Sequence, residues 1–272
     1  MLKITNDEFL LLADFIKSNY GINLFNKKSL VEGRLGLMLS AKGYHSFSEY
    51  FFEAFSDPTK TEITELVNKL TTNHTFFMRE SKHFDFLMSK VLPFFENNIK
   101  DYDLRVWSAG CSTGEEPYTL AMIIADYFGN KKSAWDTKIL ATDISVRALE
   151  HAAKGIYTAD ELKGLSPVWK LRYFQSISDG KFEVSEDIKN EVIFRSFNLM
   201  DGIFPFKKKF HIIFCRNVMI YFDYETRKTL INKLYNIMEP GGYLFIGHSE
   251  IINRDDSKFR YIIPSVYQKG ID

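Results

Sequence analysis

Residues 104–143 constrain the fold of this chain more than any other segment does. The first part, LRVWSAGCSTGEEPY, joins an apolar run to a turn of small residues and then to a helical pattern. A second apolar run, KILAT, follows and ends on Asp143. Strands that alternate with helices in this way pack side by side as a parallel sheet, with helices on both faces. The segment therefore predicts an α/β fold.

The rest of the sequence divides into regions of different periodicity. Residues 1–70 place apolar side chains at helical spacing without strand alternation, which predicts an all-helical N-terminal domain. Residues 71–80 lose this periodicity and are interpreted as a linker that contributes to a binding site, whereas residues 81–272 alternate between strands and helices. Within that second domain, alternation around an Asp-Gly pair predicts a small antiparallel hairpin subdomain at about 155–190.

The charge and cysteine content argue against several classes of protein. The chain has 35 Lys and Arg residues and 35 Asp and Glu residues, and this net charge of zero argues against a general nucleic-acid binder. Two cysteines cannot build a disulfide framework. Asp7, Glu8 and Asp14 interrupt the apolar run near the N-terminus, so neither a signal peptide nor a membrane span is predicted. We therefore expect a cytoplasmic protein without direct membrane insertion.

The small-residue turn is compatible with two kinds of site. Residues 110–114 match G-x-S-x-G, the nucleophile elbow of α/β-hydrolases, and His211 and His248 follow Ser112 in the chain. However, no HGG-type oxyanion loop precedes the first strand, and the Glu-Glu pair after the turn would place two carboxylates beside a developing oxyanion. A serine hydrolase is therefore the less favoured alternative.

A cofactor site accounts for more of these residues. Gly110 and Gly114 allow the backbone to approach a ligand closely, and Asp143 ends the next strand, where a ribose diol would bind. The alternative role of Asp143 is to cap the helix that follows it. Glu115 and Glu116 would repel a pyrophosphate but suit a cationic ligand. S-adenosylmethionine, a nucleoside that carries a sulfonium and an ammonium group, fits this turn better than NAD does.

Two later strands also end on residues that suit a binding site. Asn198 and Leu199 follow one apolar strand, at the level where an adenine would be contacted. Arg216 and Asn217 follow the next strand, and Tyr221 comes shortly after them, either over the same crevice or packed in the core. Ligands of open parallel sheets bind at the carboxyl ends of the strands. We therefore expect these residues to surround the same crevice as the turn.

Six motifs of the chain resemble those of one protein family. In chain order they are TTNHTFFMRE, RVWSAGCSTGEEPY, ATDIS, FNL, FCRNVMIYFD and GGYLFIGHSE. They are similar to the motifs of the CheR family, the chemotaxis receptor methyltransferases, from about residue 5 to residue 268. The resemblance implies a Rossmann-like S-adenosylmethionine-dependent methyltransferase sheet with helices on both faces. It also implies a protein-glutamate O-methyltransferase that forms glutamyl methyl esters on methyl-accepting chemotaxis receptors, with a non-catalytic, cofactor-sensing adaptor of the same fold as an alternative.

The resemblance also assigns roles to individual residues. It implies that Glu115 or Glu116 faces the cofactor. We interpret Arg79 as the anchor for the carboxylate of the cofactor's methionine part and Tyr221 as a wall of the methyl-transfer crevice, and both are candidate catalytic residues. Because a glutamate of pKa about 4.3 is ionised at neutral pH, no general base is required, and no metal is expected. The other implied cofactor contacts are Asn73, Thr75, Asp143, Asn198, Leu199, Arg216 and Asn217.

The N-terminal domain is expected to meet the receptor. The resemblance implies that a basic helix of this domain binds the acidic helical bundle of the receptor, with an ordinary solvated face as the alternative. The short hairpin loop at 176–181 departs from family members that dock a pentapeptide tail of the receptor through a longer, Gly-rich loop. We therefore expect no strong tail docking. Four basic residues share a window whose one acidic residue is Glu32, and they are the candidate receptor contacts: Lys27, Lys28, Arg34 and Lys42.

Overall fold

The computed structural model describes residues 2–271 and begins with a four-helix domain. Its helices are α1 (Asn6–Tyr20), α2 (Lys28–Ala41), α3 (Phe47–Ser56) and α4 (Thr61–Leu70). Thr5 starts α1 with a capping box, because its side chain accepts from the Glu8 N–H while the Glu8 side chain accepts from the Thr5 N–H. The prediction of an all-helical N-terminal domain is confirmed. Within the described residues, no helix is long and apolar enough to cross a membrane.

The linker leads into a helix with an irregular middle and then into the first βαβ unit. A π-helical turn at Leu87–Val91 joins α5 (Lys82–Phe86) to α6 (Leu92–Asn98). The unit itself consists of β1 (Val106–Ala109), α7 (Glu115–Phe128) and β2 (Ile139–Asp143), and α8 (Val146–Lys154) follows. β1 and β2 are parallel, with Ala109 opposite Thr142. The turn after β1 and the end of β2 therefore lie side by side.

The predicted hairpin is a three-stranded antiparallel sheet. It contains β3 (Ile156–Thr158), β4 (Phe174–Ser176) and β5 (Lys181–Val184), in the spatial order β3-β5-β4. Two short helices, α9 (Pro167–Tyr173) and α10 (Glu186–Lys189), belong to the same insertion. The sequence analysis missed β3, because three residues directly after a helix are too few to show strand alternation.

After β6 the chain crosses to the other side of β1, where it adds the remaining strands of the main sheet. The remaining elements are β6 (Val192–Ser196), β7 (Phe210–Cys215), α11 (Tyr224–Asn236), β8 (Met238–Ile246), β9 (Arg260–Ile263) and β10 (Val266–Gln268). The spatial order is β6-β2-β1-β7-β8-β10-β9. The first five of these strands are parallel, and β10 pairs antiparallel with both of its neighbours. Strand order reverses between β1 and β7, and such a switch point opens a crevice at the carboxyl ends of the strands.

An aromatic cluster fixes the face of the sheet beneath this crevice. Trp107 on β1 is fully buried, and its ring lies 5.0 Å from Phe206 and 5.4 Å from Phe210, measured between ring centroids. Its indole N–H donates to the Thr142 hydroxyl at 2.9 Å. A buried Trp needs such a partner for its polar edge. The bond therefore ties β1 to β2 through side chains as well as through the ladder.

The helical domain rests against the carboxyl edge of the sheet through the end of α1. The Lys17 ammonium lies 2.8 Å from the Asp223 carboxylate at the start of α11. The Asn198 side-chain amide, which follows β6, donates to the Asn19 carbonyl at 2.7 Å. These contacts place the last turn of α1 over the crevice.

Gly114 provides a test of how the turn after β1 is packed. It caps α7 with a φ of +100°, and a Cβ at this position would lie 2.8 Å from the Tyr157 hydroxyl and 2.9 Å from the Ala152 Cβ. We expect Gly114→Ala to lower the free energy of unfolding by about 2 kcal/mol or more, because it adds both backbone strain and a clash.

Gly33→Ala is the matched control for this substitution. Gly33 lies within α2, and a Cβ there would meet no atom within 4 Å. The control should raise the free energy of unfolding by about 0.5–1 kcal/mol, because Ala favours the helix over Gly. Urea unfolding of both variants measures the two changes, and changes of the same sign would contradict this account.

Candidate active site

The crevice at the carboxyl edge is an open cavity of about 1080 Å³, its mouth included. Its walls come from the linker, the turn after β1, the end of β2, the loops after β6 and β7, and the end of α1. Ligands of open α/β sheets bind in a crevice at this edge. The structure brings together in its wall the predicted residues Asn73, Thr75, Arg79, Gly110, Glu116, Asp143, Asn198, Leu199, Arg216, Asn217 and Tyr221.

The turn after β1 is fixed by bonds to both of its neighbours. The Ser112 N–H donates to the Asp143 carboxylate at 2.8 Å, and the Ser112 hydroxyl donates to the Asn73 carbonyl at 2.9 Å. At Gly110 the φ is +88°, and a Cβ would lie 2.4 Å from a Val218 methyl carbon. A side chain at this position would therefore clash with the loop after β7.

Within residues 2–271, the structure provides no catalytic pair for a serine hydrolase. Among the described residues, the Ser112 hydroxyl has the Asn73 carbonyl as its hydrogen-bond partner. His211 accepts from the Arg105 N–H through Nδ1 at 3.1 Å. His248 packs its ring against another histidine instead. A serine nucleophile needs a base within hydrogen-bond reach, so the hydrolase alternative is not supported.

Asp143 is the carboxylate best placed to bind a diol. One of its oxygens accepts from the Ser112 N–H at 2.8 Å and the other from the Ser145 N–H at 2.9 Å. Burial raises the pKa of the Asp143 carboxyl, although these N–H groups oppose the shift. Each carboxylate oxygen has capacity for a second hydrogen bond. The two oxygens can therefore accept from two neighbouring hydroxyl groups while the backbone holds them in place.

The structure separates the roles of the paired glutamates. Glu116 lines the cavity, where its carboxylate accepts from the Ser108 hydroxyl at 2.7 Å and lies 3.1 Å from Nε of Arg216. Glu115 is 3% exposed and accepts from the Thr113 hydroxyl at 2.7 Å, outside the cavity wall. Consecutive residues of a helix point about 100° apart. Only Glu116 of the pair is therefore positioned to face a cofactor.

Gly114 is also absent from the described cavity wall, contrary to the expectation from sequence. Its Cα faces Tyr157 and Ala152, on the side of α8 and the inserted sheet. Gly114 permits close packing of the turn against the insertion, and the approach to the cavity is made by Gly110.

Arg216 is a buried cation at the back of the cavity. Its guanidinium lies 3.1 Å from Glu116 and donates to the Arg79 carbonyl at 2.6 Å. A third contact joins it to Nδ1 of His83 at 3.3 Å. Burial and the neighbouring Arg216 lower the pKa of His83 to about 3, so this imidazole is neutral at pH 7 and accepts from the guanidinium. Sequence reasoning missed His83, because it lies in a helix outside the quoted motifs.

The same group includes three residues with the side chains of a metal site. Ligand atoms of Glu80, His83 and His248 all lie within 4.8 Å of one another. The Arg216 guanidinium contacts two of them, at 3.3 Å from His83 and 3.8 Å from Glu80. This cluster is therefore arranged around the positive charge of an arginine. Glu80 ends the TTNHTFFMRE motif, which is the one sequence signal for its position.

The linker presents Arg79 to the cavity. The Arg79 side chain folds back so that Nη1 donates to the His74 carbonyl at 2.7 Å, and its guanidinium lies 5.9 Å from the centre of the Phe76 ring. A guanidinium has five N–H donors. Arg79 therefore keeps donors for an anionic group in the cavity.

The side-chain amide of Asn198 is engaged by the protein. It donates to the Asn19 carbonyl at 2.7 Å and accepts from the Met200 N–H at 3.0 Å. The Asn198 amide is thus held by other parts of the protein, while Asn198 and Leu199 both lie in the cavity wall.

Tyr221 lies where the two domains meet over the cavity. Its carbonyl accepts from the Asn23 N–H at 2.8 Å, and the ammonium of Lys27 lies 5.4 Å from its ring centre. Both partners belong to the helical domain. Tyr221 thus lies in the cavity wall and also packs against the hydrophobic cluster on one face of the sheet.

The four predicted basic contacts do not form one free surface. Arg34 donates to the Leu70 and Thr71 carbonyls, at 2.7 and 3.0 Å, and so caps the C-terminal end of α4. Lys42 lies 2.8 Å from Glu62 and 2.6 Å from Glu65. Helix periodicity alone could not show that these partners come from α4. The remaining two residues are Lys27, beside Tyr221, and Lys28, whose ammonium donates to Asn6.

The reversed strand order and the carboxylate at the end of β2 are typical of α/β proteins that bind a nucleoside-type cofactor, and comparison with known proteins identifies the family. The sequence model described as "CheR methyltransferase, SAM binding domain" matches residues 73–267, and that of the "CheR methyltransferase, all-alpha domain" matches residues 7–71. The chain belongs to the CheR methyltransferase family. Its cofactor is S-adenosylmethionine, as predicted.

Curated relatives match the chain over nearly its whole length. A chemotaxis protein methyltransferase of Borreliella burgdorferi is 46% identical over 99% of this chain and 96% of that protein. The chemotaxis protein methyltransferase of Escherichia coli is 35% identical over 100% of this chain and 93% of its own length. Another from Pseudomonas putida is 36% identical, with 91% of each chain covered. The resemblance inferred from the motifs is therefore confirmed.

The different environments of the paired glutamates give a pH-dependent test. Burial raises the pKa of Glu115 to about 6 from an ordinary value of 4.5. The free energy of unfolding therefore falls as the pH rises between these two values, and above them the loss of unfolding free energy stays constant. We expect Glu115→Gln to gain about 2 kcal/mol of unfolding free energy at pH 8 and almost none at pH 4. Urea unfolding at the two pH values measures the difference.

Glu225→Gln is the control for this test. Glu225 also lies in the first turn of a helix, α11, but is exposed. Its substitution should change stability by less than about 0.5 kcal/mol at either pH. An equal gain for Glu115→Gln at pH 4 and pH 8 would show that the buried charge is not its cause.

Proposed function

We propose that the chain transfers the methyl group of S-adenosylmethionine to glutamate side chains of methyl-accepting chemotaxis receptors, forming glutamyl methyl esters. The family assignment supports the reaction, and the names of the curated relatives support a role in chemotaxis. The structural observation that best supports this function is the pairing of Asp143 and Glu116 in one cavity at the carboxyl edge of the sheet. These two carboxylates suit a ligand that has a diol at one end and a cation at the other.

Each part of the cofactor has a candidate partner in the cavity. Asp143 would accept hydrogen bonds from the ribose hydroxyls, and Glu116 would face the positive charge of the methionine part. Arg79 keeps donors for the carboxylate of that part. When bound, the cofactor supplies an electrophilic methyl group on a sulfonium.

The chain's own residues have to align this group with the acceptor and exclude water. A receptor glutamate is ionised at neutral pH, so no residue of the chain has to remove a proton. Attack by an anion on a cation neutralises charge, and a dry, aligned site favours such a step. Tyr221 and the last turn of α1 close one side of the cavity and are proposed to serve this purpose.

Replacement of Asp143 tests the cofactor site directly. We expect Asp143→Asn to weaken binding of S-adenosylhomocysteine at least tenfold, because an amide cannot accept from two hydroxyl groups while it also accepts from two backbone N–H groups. Isothermal titration calorimetry at pH 8 measures the change in Kd.

Asp187→Asn, at an exposed position of α10, is the control and should bind as the parent does. Near-UV circular dichroism establishes that both variants are folded. Equal affinities of folded Asp143→Asn and the parent would remove Asp143 from the cofactor site.

Lys27 and Lys28 are the basic residues best placed to attract an acidic receptor. They lie at the start of α2, and the Lys27 ammonium lies over the Tyr221 ring at the cavity. Arg34 and Lys42 are occupied within the helical domain. The proposed receptor contact is therefore concentrated near the cavity instead of spread along α2.

Charge reversal at Lys27 tests this contact. We expect Lys27→Glu to raise the KM for receptor about tenfold at low ionic strength and less at high salt, because electrostatic attraction between surfaces is screened. The control is Lys207→Glu, an exposed lysine before β7 at the opposite end of that strand from the cavity. Methylation of receptor-containing membranes with labelled cofactor gives both constants. An unchanged KM for Lys27→Glu would exclude the contact.

The inserted sheet supports a receptor interaction without strong tail docking. Its β4 and β5 are joined by residues 177–180 alone. We propose that this short connection gives little surface to an added peptide strand.

A further inference from the structure

Glu250 is a buried carboxylate in a motif to which the family resemblance assigned no role. It ends GGYLFIGHSE, four residues after β8, and is 8% exposed. Its two oxygens accept from backbone N–H groups on the loop after β7: one from Asn217 at 3.0 Å and the other from Ile220 at 3.2 Å. The N–H of Gly247 also donates to it. A buried carboxylate with several backbone donors is a strong local anchor.

The anchored loop carries four residues of the cavity wall, one of which is Val218. Arg216, Asn217 and Tyr221 all line the cavity and follow the end of β7 within six residues. Asn217 has a φ of +57°, a left-handed conformation that costs energy for a residue other than glycine. The loop therefore depends on contacts from outside itself to hold this shape.

Gly247 allows the anchor to come close to the loop. A Cβ at Gly247 would lie 2.5 Å from Nδ2 of Asn217 and 2.9 Å from its backbone nitrogen. The side-chain amide of Asn217 donates to the Glu80 carboxylate at 3.3 Å. The residue is thus held by one carboxylate through its backbone and by another through its side chain.

We propose that Glu250 is a positioning residue for methyl transfer, whose carboxylate fixes the loop at 216–221 and thereby the cofactor contacts and Tyr221. Both of its oxygens have to be acceptors, because N–H groups approach each of them. A glutamine would direct its own N–H groups at one of these donors and release that part of the loop.

Glu250→Gln tests the proposal. We expect the Kd for S-adenosylhomocysteine to rise about tenfold, the loss expected when a backbone donor faces no acceptor. We also expect kcat to fall, since Tyr221 moves with the loop. In ¹⁵N-edited NMR spectra, the amide signals of Asn217 and Ile220 should shift more than those of the helical domain.

Glu8→Gln is the matched control. Glu8 is likewise buried and accepts backbone N–H groups, from Thr5 and Ser48, but it lies in the helical domain and outside the cavity wall. It should lose stability while its affinity for S-adenosylhomocysteine stays within twofold of the parent. A folded Glu250→Gln protein with a Kd within twofold of the parent would overturn the proposal. So would an equal loss of affinity in Glu8→Gln.

If Glu250→Gln does not fold, Glu250→Asp replaces it. The shorter side chain keeps the charge but cannot reach Asn217 and Ile220 together, and it should weaken binding at least threefold. Unchanged binding by this variant also overturns the proposal. The kcat measurement rests on the proposed function, whereas the Kd comparison needs no acceptor. A parent protein that binds S-adenosylhomocysteine without methylating receptors would therefore refute the acceptor assignment alone.

Discussion

The Asp143 carboxylate accepts hydrogen bonds from the amides of Ser112 and Ser145, and these two bonds join the turn after β1 to the start of α8. The turn needs this anchor because Ser112 has a left-handed backbone, with a φ of +49°. Through its hydroxyl, Ser112 in turn holds the linker at Asn73. The turn after β1 and the start of α8 are therefore fixed by one half-buried acid that also lies in the cavity wall, and the linker between the domains is held through Ser112.

A second buried charge organises the opposite wall. Arg216 lies between Glu116 and Glu80, with the neutral imidazole of His83 as a further acceptor. Removing a guanidinium from water is costly unless partners of opposite charge surround it. Two carboxylates therefore surround this one guanidinium. The linker supplies another acceptor, since the Arg79 carbonyl receives a bond from the same guanidinium.

Much of this architecture could be predicted because it depends on local patterns. The helical domain at 1–70, the alternation of strands and helices after residue 81 and the inserted hairpin can be predicted, since helical spacing, apolar runs and an Asp-Gly pair mark them. Tertiary contacts determine the features that the local patterns leave open or predict wrongly, such as the direction of a side chain and its partner. Glu115 and Glu116 point in different directions from α7, and the C-terminal carbonyls of α4 engage Arg34, which the family resemblance implies as a receptor contact.

Gly110 and Gly247 both allow the loop after β7 to pack closely against its neighbours. A Cβ at the first would collide with Val218, and a Cβ at the second would collide with Asn217. Val218 and Asn217 both belong to the loop after β7. This loop therefore packs tightly against the turn after β1 on one side and against the end of β8 on the other, and neither contact leaves room for one methyl group. No free space between the turn and this loop allows the turn to move toward the loop. The turn after β1 and the loop that carries Tyr221 are therefore packed in direct contact, and a side chain added at either glycine would have to displace that loop.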